Sequence, residues 1–200
     1  MLGASGHGKV VADLAELAGW EEVLFFDDAW PQIAKNGAWS VVGDSQALLD
    51  QLDRFTGVVV AIGNNKIRAD KLSWLSENAA QIVSLIHPSA LISRYAKFGL
   101  GCVVMAGVVV NADVSIADGV ILNTSCSIDH DCVIADCAHI SPGAQLAGGV
   151  HVGAQSWVGV GASVKQLVSI GQQVIVGAGA AVVTDLPDQI TAVGVPAKAI

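Results

Sequence analysis

Residues 98–140 of the chain read FGLGCVVMAGVVVNADVSIADGVILNTSCSIDHDCVIADCAHI, and every sixth residue from Phe98 onward is large and apolar. The same register extends in both directions without an insertion. The residue four positions after each large one is small or β-branched and nearly always apolar. The large positions are Ile86, Ile92, Phe98, Val104, Val110, Ile116, Leu122, Ile128, Ile134, Ile140, Leu146, Val152, Val158, Val164, Ile170, Val176 and Val182.

A strict period of six predicts a solenoid, because an α-helix does not repeat at this interval. Each hexad supplies a short strand with its large residue pointing inward, followed by a corner. Three hexads make one coil around a triangular core, so residues 18 positions apart stack at about 4.8 Å, the spacing of paired strands. This register places Cys102, Cys126 and Cys132 at the small inward position, which favours core residues over metal ligands.

The chain before Ile86 follows a different pattern, in which short apolar runs alternate with helix-like segments. This alternation is typical of an α/β domain that binds ligands at the carboxyl ends of its strands. The predicted domains are therefore a Rossmann-like domain over residues 1–84 and a β-helix over residues 85–200. Within the first domain we predict helices over residues 9–18, 45–52 (capped by Ser45) and 67–78, and strands over residues 22–26, 39–42, 58–62 and 81–86.

Composition narrows the class of protein. A hydrophobic fraction of 52% with 14% charged residues excludes a disordered chain. The net charge of −8 argues against nucleic acid or an anionic membrane as a partner, although backbone amides can still hold a phosphate. No apolar run reaches the roughly 18 residues of a membrane span, and the first residues lack the apolar core of a signal peptide. With no C-x-x-C pair among its cysteines, we expect a reduced, cytoplasmic protein without a metal.

His130 is the strongest candidate for a general base. It lies in Ile128-Asp129-His130-Asp131-Cys132, between two carboxylates that can fix its tautomer and raise its basicity. Gly148 lies 18 residues further on, one coil above, where its N–H can point at a developing oxyanion. The alternatives are a solvated polar corner for His130 and a tight turn for Gly148.

The glycine-rich segment Gly3-Ala4-Ser5-Gly6-His7-Gly8 predicts a phosphate site, because its amides and the following helix N-terminus can hold a diphosphate. Asp27 and Asp28 follow the second strand, where acidic residues meet a nucleoside in such folds. Binding of a redox dinucleotide is the rival, but about 80 residues make only half of such a domain. The predicted substrate contacts are Ser5, Gly6, His7, Asp27, Asp28 and Gly63.

The hexads resemble those of the left-handed β-helix acyltransferases, and that resemblance implies the left hand. A wider set of motifs resembles the UDP-4-amino-sugar N-acetyltransferases of bacillosamine biosynthesis and the sialic acid O-acetyltransferases. The first strand is much shorter than in relatives, which suggests a truncated N-terminus, and Asp131 stands where the best-known relatives have Glu. The shared motifs are Gly3 to Gly8, Asp27-Asp28, Ala61-Ile62-Gly63-Asn64-Asn65 with Arg68, Asn123-Thr124-Ser125, His130, and Gly194-Val195-Pro196-Ala197-Lys198.

The resemblance implies an acetyl-CoA-dependent N-acetyltransferase of a UDP-linked 4-amino-sugar that works as a homotrimer, with the UDP part bound by the first domain. It implies that Asp131 supports His130 and that Asn123 lies near the acceptor amine. It also implies that His139 contacts the acetyl-CoA of a neighbouring subunit, with a surface histidine as the alternative. Val160 and Ala178, one coil apart, match the backbone amides that contact the pantetheine arm.

The uninterrupted hexads support an oligomer independently, because they leave no loop to cover a pocket, and a neighbouring subunit is the economical second wall. Three other functions remain open. The enzyme can O-acetylate sialic acid or another sugar hydroxyl, or the chain can be a non-catalytic scaffold, which leaves Asn123, His130 and Asp131 unexplained. A metal-dependent β-helix enzyme related to carbonic anhydrases needs converging histidines that the spacing does not suggest. The sequence fixes neither the sugar's stereochemistry nor a strictly acetyl donor.

Overall fold

The computed structural model describes every residue from Met1 to Ile200. Its first part is a small α/β unit, and no helix in the chain is long and apolar enough to cross a lipid bilayer. The elements of this unit are α1 (Gly6–Leu17), β1 (Phe25–Phe26), β2 (Lys35–Asn36), β3 (Trp39–Gly43), α2 (Ser45–Leu49), a 3₁₀ turn (Leu52–Arg54) and α3 (Asn65–Glu77).

The sheet of the α/β unit is short and mostly parallel. β1 pairs in parallel with β3, and β2 adds an antiparallel edge that sequence analysis missed. Single parallel bridges continue the sheet from Leu2 to both Phe26 and Val60, and then from Val58 to Ile82. The carboxyl ends of these strands therefore meet at one edge, as an α/β fold requires.

Several predicted boundaries were wrong in detail. Residues 22–26 contain only the two-residue β1, and residues 58–62 and 81–83 contribute bridges rather than full strands. Asp44, not Ser45, caps α2, since its Oδ1 accepts the N–H of Ala47 at 2.8 Å. The helix α3 begins at Asn65 because the side chain of Asn64 accepts the N–H of Ile67 and closes its first turn.

The remainder of the chain is the predicted left-handed parallel β-helix, and this prediction is confirmed. Strands of two residues pair in parallel with strands 18 positions away, so that Ile121 pairs with His139 and Leu122 with Ile140. The strands form three sheets, one for each face of a triangular prism. Face 1 contains Leu85–Ile86, Val103–Val104, Ile121–Leu122, His139–Ile140, Trp157–Val158, Ile175–Val176, Thr191–Val193 and an antiparallel end strand, Lys198–Ala199.

The other two faces contain only coil strands. Face 2 consists of Leu91–Ile92, Val109–Val110, Ser127–Ile128, Gln145–Leu146, Ser163–Val164 and Ala181–Val182. Face 3 consists of Lys97–Phe98, Ser115–Ile116, Val133–Ile134, His151–Val152 and Ser169–Ile170.

Three corners join the faces, and each corner bends through a residue with a positive φ. This conformation recurs at every sixth residue from Gly101 to Gly179, and half of these positions are glycine. Corner 1, between faces 3 and 1, contains Gly101, Gly119, Cys137, Gln155 and Gln173; corner 2, between faces 1 and 2, contains Gly107, Ser125, Gly143, Gly161 and Gly179; corner 3, between faces 2 and 3, contains Asp113, Asp131, Gly149 and Leu167.

The core of the prism is built from the two apolar positions of the hexad. Ile128, Ile134 and Ile140 are fully buried, and small residues at the fifth position fill the space between them. Cys102, Cys126 and Cys132 are buried in this core as free thiols, as the register predicted. Burial raises the pKa of Cys126 to about 12, so this side chain acts as a small apolar group.

The α/β unit packs on the outer side of face 1. Outward side chains of this face, Leu85, Val103 and Ile121, are almost completely buried. They form one cluster with Val11 and Leu14 of α1. On faces 2 and 3 the equivalent outward positions are mostly polar, as in Ser127–Ile128 and Ser169–Ile170. The difference explains why the unit covers one face of the prism and leaves the other two free.

The inward and outward positions of a hexad should differ sharply in their contribution to stability. Replacing the fully buried Ile128 with Ala leaves a cavity and should lower the free energy of unfolding by about 2–5 kcal/mol. Val133→Ala, at an outward position with 40% of the residue exposed, should cost less than about 1 kcal/mol. Guanidinium unfolding of both variants measures the difference, and equal losses would contradict the packing described here.

Candidate active site

His130 lies at corner 3 with its imidazole largely exposed. Its Nδ1 is 2.7 Å from Oδ2 of Asp131, and both side chains are accessible, at 62% and 66%. The hydrogen bond to Asp131 raises the pKa of His130, and the charge of Asp129 acts in the same direction. Since Asp131 occupies Nδ1, Nε2 is the nitrogen left to accept a proton.

The two carboxylates beside His130 have different partners. Asp129 accepts hydrogen bonds from the side chain of Asn111 at 2.8 Å and from the backbone N–H of His130 at 2.9 Å. The hydrogen bond from Asn111 is the main reason that the pKa of Asp129 is lowered. Asp129 therefore holds the backbone of the corner, while Asp131 contacts the imidazole ring.

Gly148 lies directly beneath the imidazole, one coil above in sequence. A Cβ at this position would be 2.6 Å from Cε1 and Nε2 of His130, so no other residue fits without moving the ring. The backbone N–H of Gly148 donates to no other group of the chain. In this rotamer the ring covers Gly148, and a ligand reaches its N–H only after the ring turns aside.

The predicted substrate residues meet at the carboxyl edge of the short sheet. Gly3 has a φ of +107° and Gly8 lies where a Cβ would be 2.5 Å from the carbonyl oxygen of Gly3, so both positions require glycine. Gly6, by contrast, begins α1 and faces open space. Ser5 precedes it as the N-cap but makes no side-chain capping bond. The loop thus leaves a helix N-terminus open to an anion.

Asp27 and Asp28 also lie at this edge, where each already has protein partners. The carboxylate of Asp27 accepts the N–H of Ala4 at 2.7 Å and that of Ala29 at 2.9 Å, which fastens the glycine-rich loop. Asp28 pairs with Lys71 at 2.8 Å. Although burial opposes it, hydrogen bonds from Lys71 and Ser45 lower the pKa of Asp28 to about 2. Asp27 therefore has a structural role beside any contact with a ligand.

His139 lies in the interface between the α/β unit and face 1. Its residue is 4% exposed, its Nε2 is 3.0 Å from Nδ2 of Asn123, and its ring centroid is 6.3 Å from that of His7. Its Nδ1 makes no well-formed hydrogen bond, although the backbone of Gly63 is close enough to influence its pKa. Burial, with the charge of Arg68, lowers the pKa of His139 to about 3 and that of His7 to about 4.

This burial corrects the surface alternative for His139. Contact with acetyl-CoA requires the covering residues to separate, and the predicted role of His139 stays a prediction. His7 was expected to donate to a phosphate, but its Nε2 is also buried and has no partner. The ring of His7 therefore points toward the β-helix rather than toward the open N-terminus of α1.

The predicted catalytic residues do not form one cluster within a chain. His130, Asp131 and Gly148 are at corner 3, whereas Asn123 precedes corner 2 and contacts His139 on face 1. They are separated by the width of face 2, because the chain passes through one complete hexad between Asn123 and His130. The expectation that Asn123 clusters with His130 was thus wrong for a single chain.

Val160 and Ala178 are both exposed at corner 2, and they stack as their spacing predicted. The carbonyl of Val160 accepts the N–H of Gly179 at 2.8 Å, and neither residue's own N–H donates to another group of the chain. Two free amides one coil apart can bind a carbonyl-bearing chain that runs along the corner.

Sequence reasoning missed three buried residues that organise this region. Asn36 is 5% exposed and donates to the carbonyl of Ser5 at 3.0 Å, which supports the glycine-rich loop. Arg68 and Asn65 of α3 join the α/β unit to corner 1. Arg68 did occur among the shared motifs, and its place on an otherwise apolar helix face was the available signal.

Comparisons with known proteins agree with this geometry. The family model of the PglD N-terminal domain matches residues 1–75. PerB from Caulobacter crescentus, solved with CoA and GDP-perosamine, is 41% identical with a TM-score of 0.94 over 100% of this chain and 95% of that one. The chain belongs to the hexapeptide-repeat sugar N-acetyltransferases. Another solved member of this family is the acetyltransferase domain of PglB from Neisseria gonorrhoeae FA1090 with acetyl coenzyme A, at 40% identity and a TM-score of 0.92 over 100% of this chain and 97% of that one.

A curated member of the same family is UDP-N-acetylbacillosamine N-acetyltransferase from Bacillus subtilis (strain 168). It is 36% identical over 109 residues, which are 53% of this chain and 50% of that protein. The chain thus spans about half the length of the curated relatives it matches. The predicted family membership and fold class are confirmed.

The pair His130–Asp131 should titrate as a unit. Asp131→Asn keeps a residue that tolerates the φ of +59° but removes the acceptor charge, so the pKa of His130 should fall toward its ordinary value. Because only neutral imidazole accepts a proton, the acid limb of a kcat/KM profile should move to lower pH. Asp113→Asn, at the same corner one coil below with a φ of +60°, is the control. NMR titration of His130 measures the shift, and an unchanged pKa in Asp131→Asn would refute the assignment.

Proposed function

We propose that this chain transfers an acetyl group from acetyl-CoA to the amine of a nucleotide-linked amino sugar. The observation that carries the proposal is the imidazole of His130, held by Asp131 and lying over the free N–H of Gly148. The same fold presents an open helix N-terminus at Gly6, which suits a sugar nucleotide better than free sialic acid. O-acetylation of a free sugar is therefore the weaker candidate.

The proposed reaction is a direct attack without an acyl-enzyme. The amine nitrogen attacks the thioester carbonyl carbon while Nε2 of His130 takes the amine proton. The N–H of Gly148 stabilises the oxyanion once the imidazole has turned toward the amine. Collapse of the tetrahedral intermediate breaks the C–S bond, and the departing thiolate of CoA takes the proton from His130. The amides of Val160 and Ala178 would hold the pantetheine arm.

The sugar nucleotide is proposed to bind at the carboxyl edge of residues 1–84, with its diphosphate at Ser5 and Gly6 and its nucleoside near Asp28. Our sequence-based choice is a UDP-linked 4-amino-sugar, as in bacillosamine biosynthesis. A GDP-linked amino sugar is the second candidate, since PerB was solved with GDP-perosamine at 41% identity. A cytoplasmic location stays a prediction from the sequence.

The position of His130 favours a site shared between subunits. Corner 3 is opposite face 1 in the triangular cross-section, and the α/β unit covers face 1. One side of the prism takes about six residues of nearly extended chain, or roughly 20 Å, so the unit's ligand lies far from its own His130. We therefore propose a homotrimer in which corner 3 of one subunit meets the nucleotide site of another.

The chemical proposal is tested by measuring CoA thiol release with acetyl-CoA and either UDP- or GDP-linked 4-amino-sugars. His130→Ala should lower kcat by about 10²- to 10⁴-fold because it removes the base. His151→Ala is the matched control, since His151 is an exposed histidine on face 3 away from corner 3. Near-normal turnover by His130→Ala, or no turnover by the wild-type chain with either nucleotide, would rule the proposal out.

The shared site is tested by subunit complementation. His130→Ala lacks the base, and Gly6→Tyr places a bulky side chain in the open space at the N-terminus of α1. Each variant alone should be inactive, whereas co-expressed subunits should recover part of the activity by pairing an intact base with an intact nucleotide site. A site contained within one chain predicts no recovery. Co-expression of His130→Ala with itself under two tags gives the background.

A further inference from the structure

The helix α3 contacts corner 1 at a series of equivalent backbone positions. Hydrogen bonds between coils use other carbonyls of each hexad and leave free the carbonyl of the residue with positive φ. At corner 1 these free carbonyls belong to Gly119, Cys137 and Gln155, each 18 residues from the next. They form a row with a spacing of about 4.8 Å along the prism.

Two side chains of α3 take up this whole row. Nε of Arg68 donates to the carbonyl of Gly119 at 2.7 Å, and Nη2 donates to that of Cys137 at 2.7 Å. One turn earlier, Nδ2 of Asn65 donates to the carbonyl of Gln155 at 2.9 Å. Because the helix pitch of about 5.4 Å nearly equals the coil spacing, one turn of α3 advances one coil along corner 1.

Arg68 also holds the edge where the sugar nucleotide is proposed to bind. Its Nη1 donates to the carbonyls of Ile62 at 2.9 Å and Gly63 at 3.0 Å. The residue is fully buried, and all of these acceptors are neutral backbone oxygens. Burial lowers the pKa of Arg68 only to about 10, so the guanidinium stays charged at neutral pH. One rigid group thus ties the nucleotide edge to two coils of the β-helix.

A steric contact selects one register from the repeating row. Leu72 packs against Gly101 and Gly119, where any Cβ would collide with it. The next residues along corner 1 are the larger Cys137 and Gln155. A shift of α3 by one coil in that direction would drive Leu72 into Cys137, although the carbonyl row itself would still offer acceptors. The hydrogen bonds therefore fix the unit to the corner, and Leu72 determines the coil.

We propose that Asn65 and Arg68 are positioning residues that set the height of the nucleotide-binding unit along the β-helix, and so the point at which the sugar amine is delivered. This inference rests on the proposed function, since it assigns these residues to the alignment of two substrates. A displacement of about 1 Å can lower a transfer rate on the order of 100-fold, whereas each substrate's own contacts lie on one side of the interface.

The test uses the full chain with Asn65→Ala and Arg68→Lys, and Asp70→Ala on the exposed side of α3 as the control. We expect kcat for acetyl transfer to fall at least tenfold in the first two variants. Calorimetric Kd values for UDP, GDP and CoA should stay within about twofold of wild type, because the individual sites are preserved. Parallel loss of affinity and kcat, or unchanged kcat in Asn65→Ala, would overturn the inference.

A structural readout separates this inference from the proposed chemistry. Spin labels on Lys66→Cys and Gln173→Cys, across the groove between α3 and corner 1, should give one narrow distance distribution in the wild-type background. The native cysteines are buried and should not react. Asn65→Ala should broaden or displace the distribution, and Asp70→Ala should not. An unchanged distribution in Asn65→Ala refutes the positioning role even if the chain proves to have a different activity.

Discussion

The stacking of each residue on the one 18 positions away is the constraint on which the rest of this structure depends. It fixes the inward side chains as a continuous core and turns every sixth residue into a corner with a positive φ. The strands are only two residues long, so no coil would persist alone, and each is stabilised by its neighbours. Backbone hydrogen bonding between coils thus determines the height of every surface residue.

That constraint explains how the candidate site is divided. Residues one coil apart are in contact, as His130 and Gly148 are, because they share a corner. Residues separated by about one hexad lie on different edges, which is why Asn123 and His130 are apart. A smooth prism offers ligand groups on its edges but no enclosed pocket. Enclosure has to come from the α/β unit on face 1 or from another copy of the chain.

Much of the fold could be predicted because a period of six is a global signal that every coil repeats. The fold class and the core positions followed from it, and the residue 18 positions beyond His130 was the correct neighbour. The boundaries in the first unit were less accurate, since its sheet consists largely of single bridges that leave little pattern in the sequence. Asp44 rather than Ser45 as a cap was a difference of one residue between two good capping types.

The docking of the two units could not be derived from a single-residue pattern. A signal was present in the outward positions of face 1, where Leu85, Val103 and Ile121 recur every 18 residues as apolar side chains. Only a comparison of the three faces separates that series from the polar series beside it. The burial of His139 and the hydrogen bonds of Arg68 depend on this docking, and both were therefore absent from the sequence prediction.

The corner geometry also restricts how proteins of this kind can change in length. An insertion or deletion of any number of residues other than a whole coil would rotate all later side chains to a different face and dissolve the core. Whole coils can be gained at the end that carries Thr191–Val193, where growth leaves the lower coils undisturbed. Between Gly101 and Gln155 even a complete coil would separate the carbonyls that α3 reads. Evolutionary length variation should therefore occur in steps of 18 residues and only near the C-terminal end of the prism.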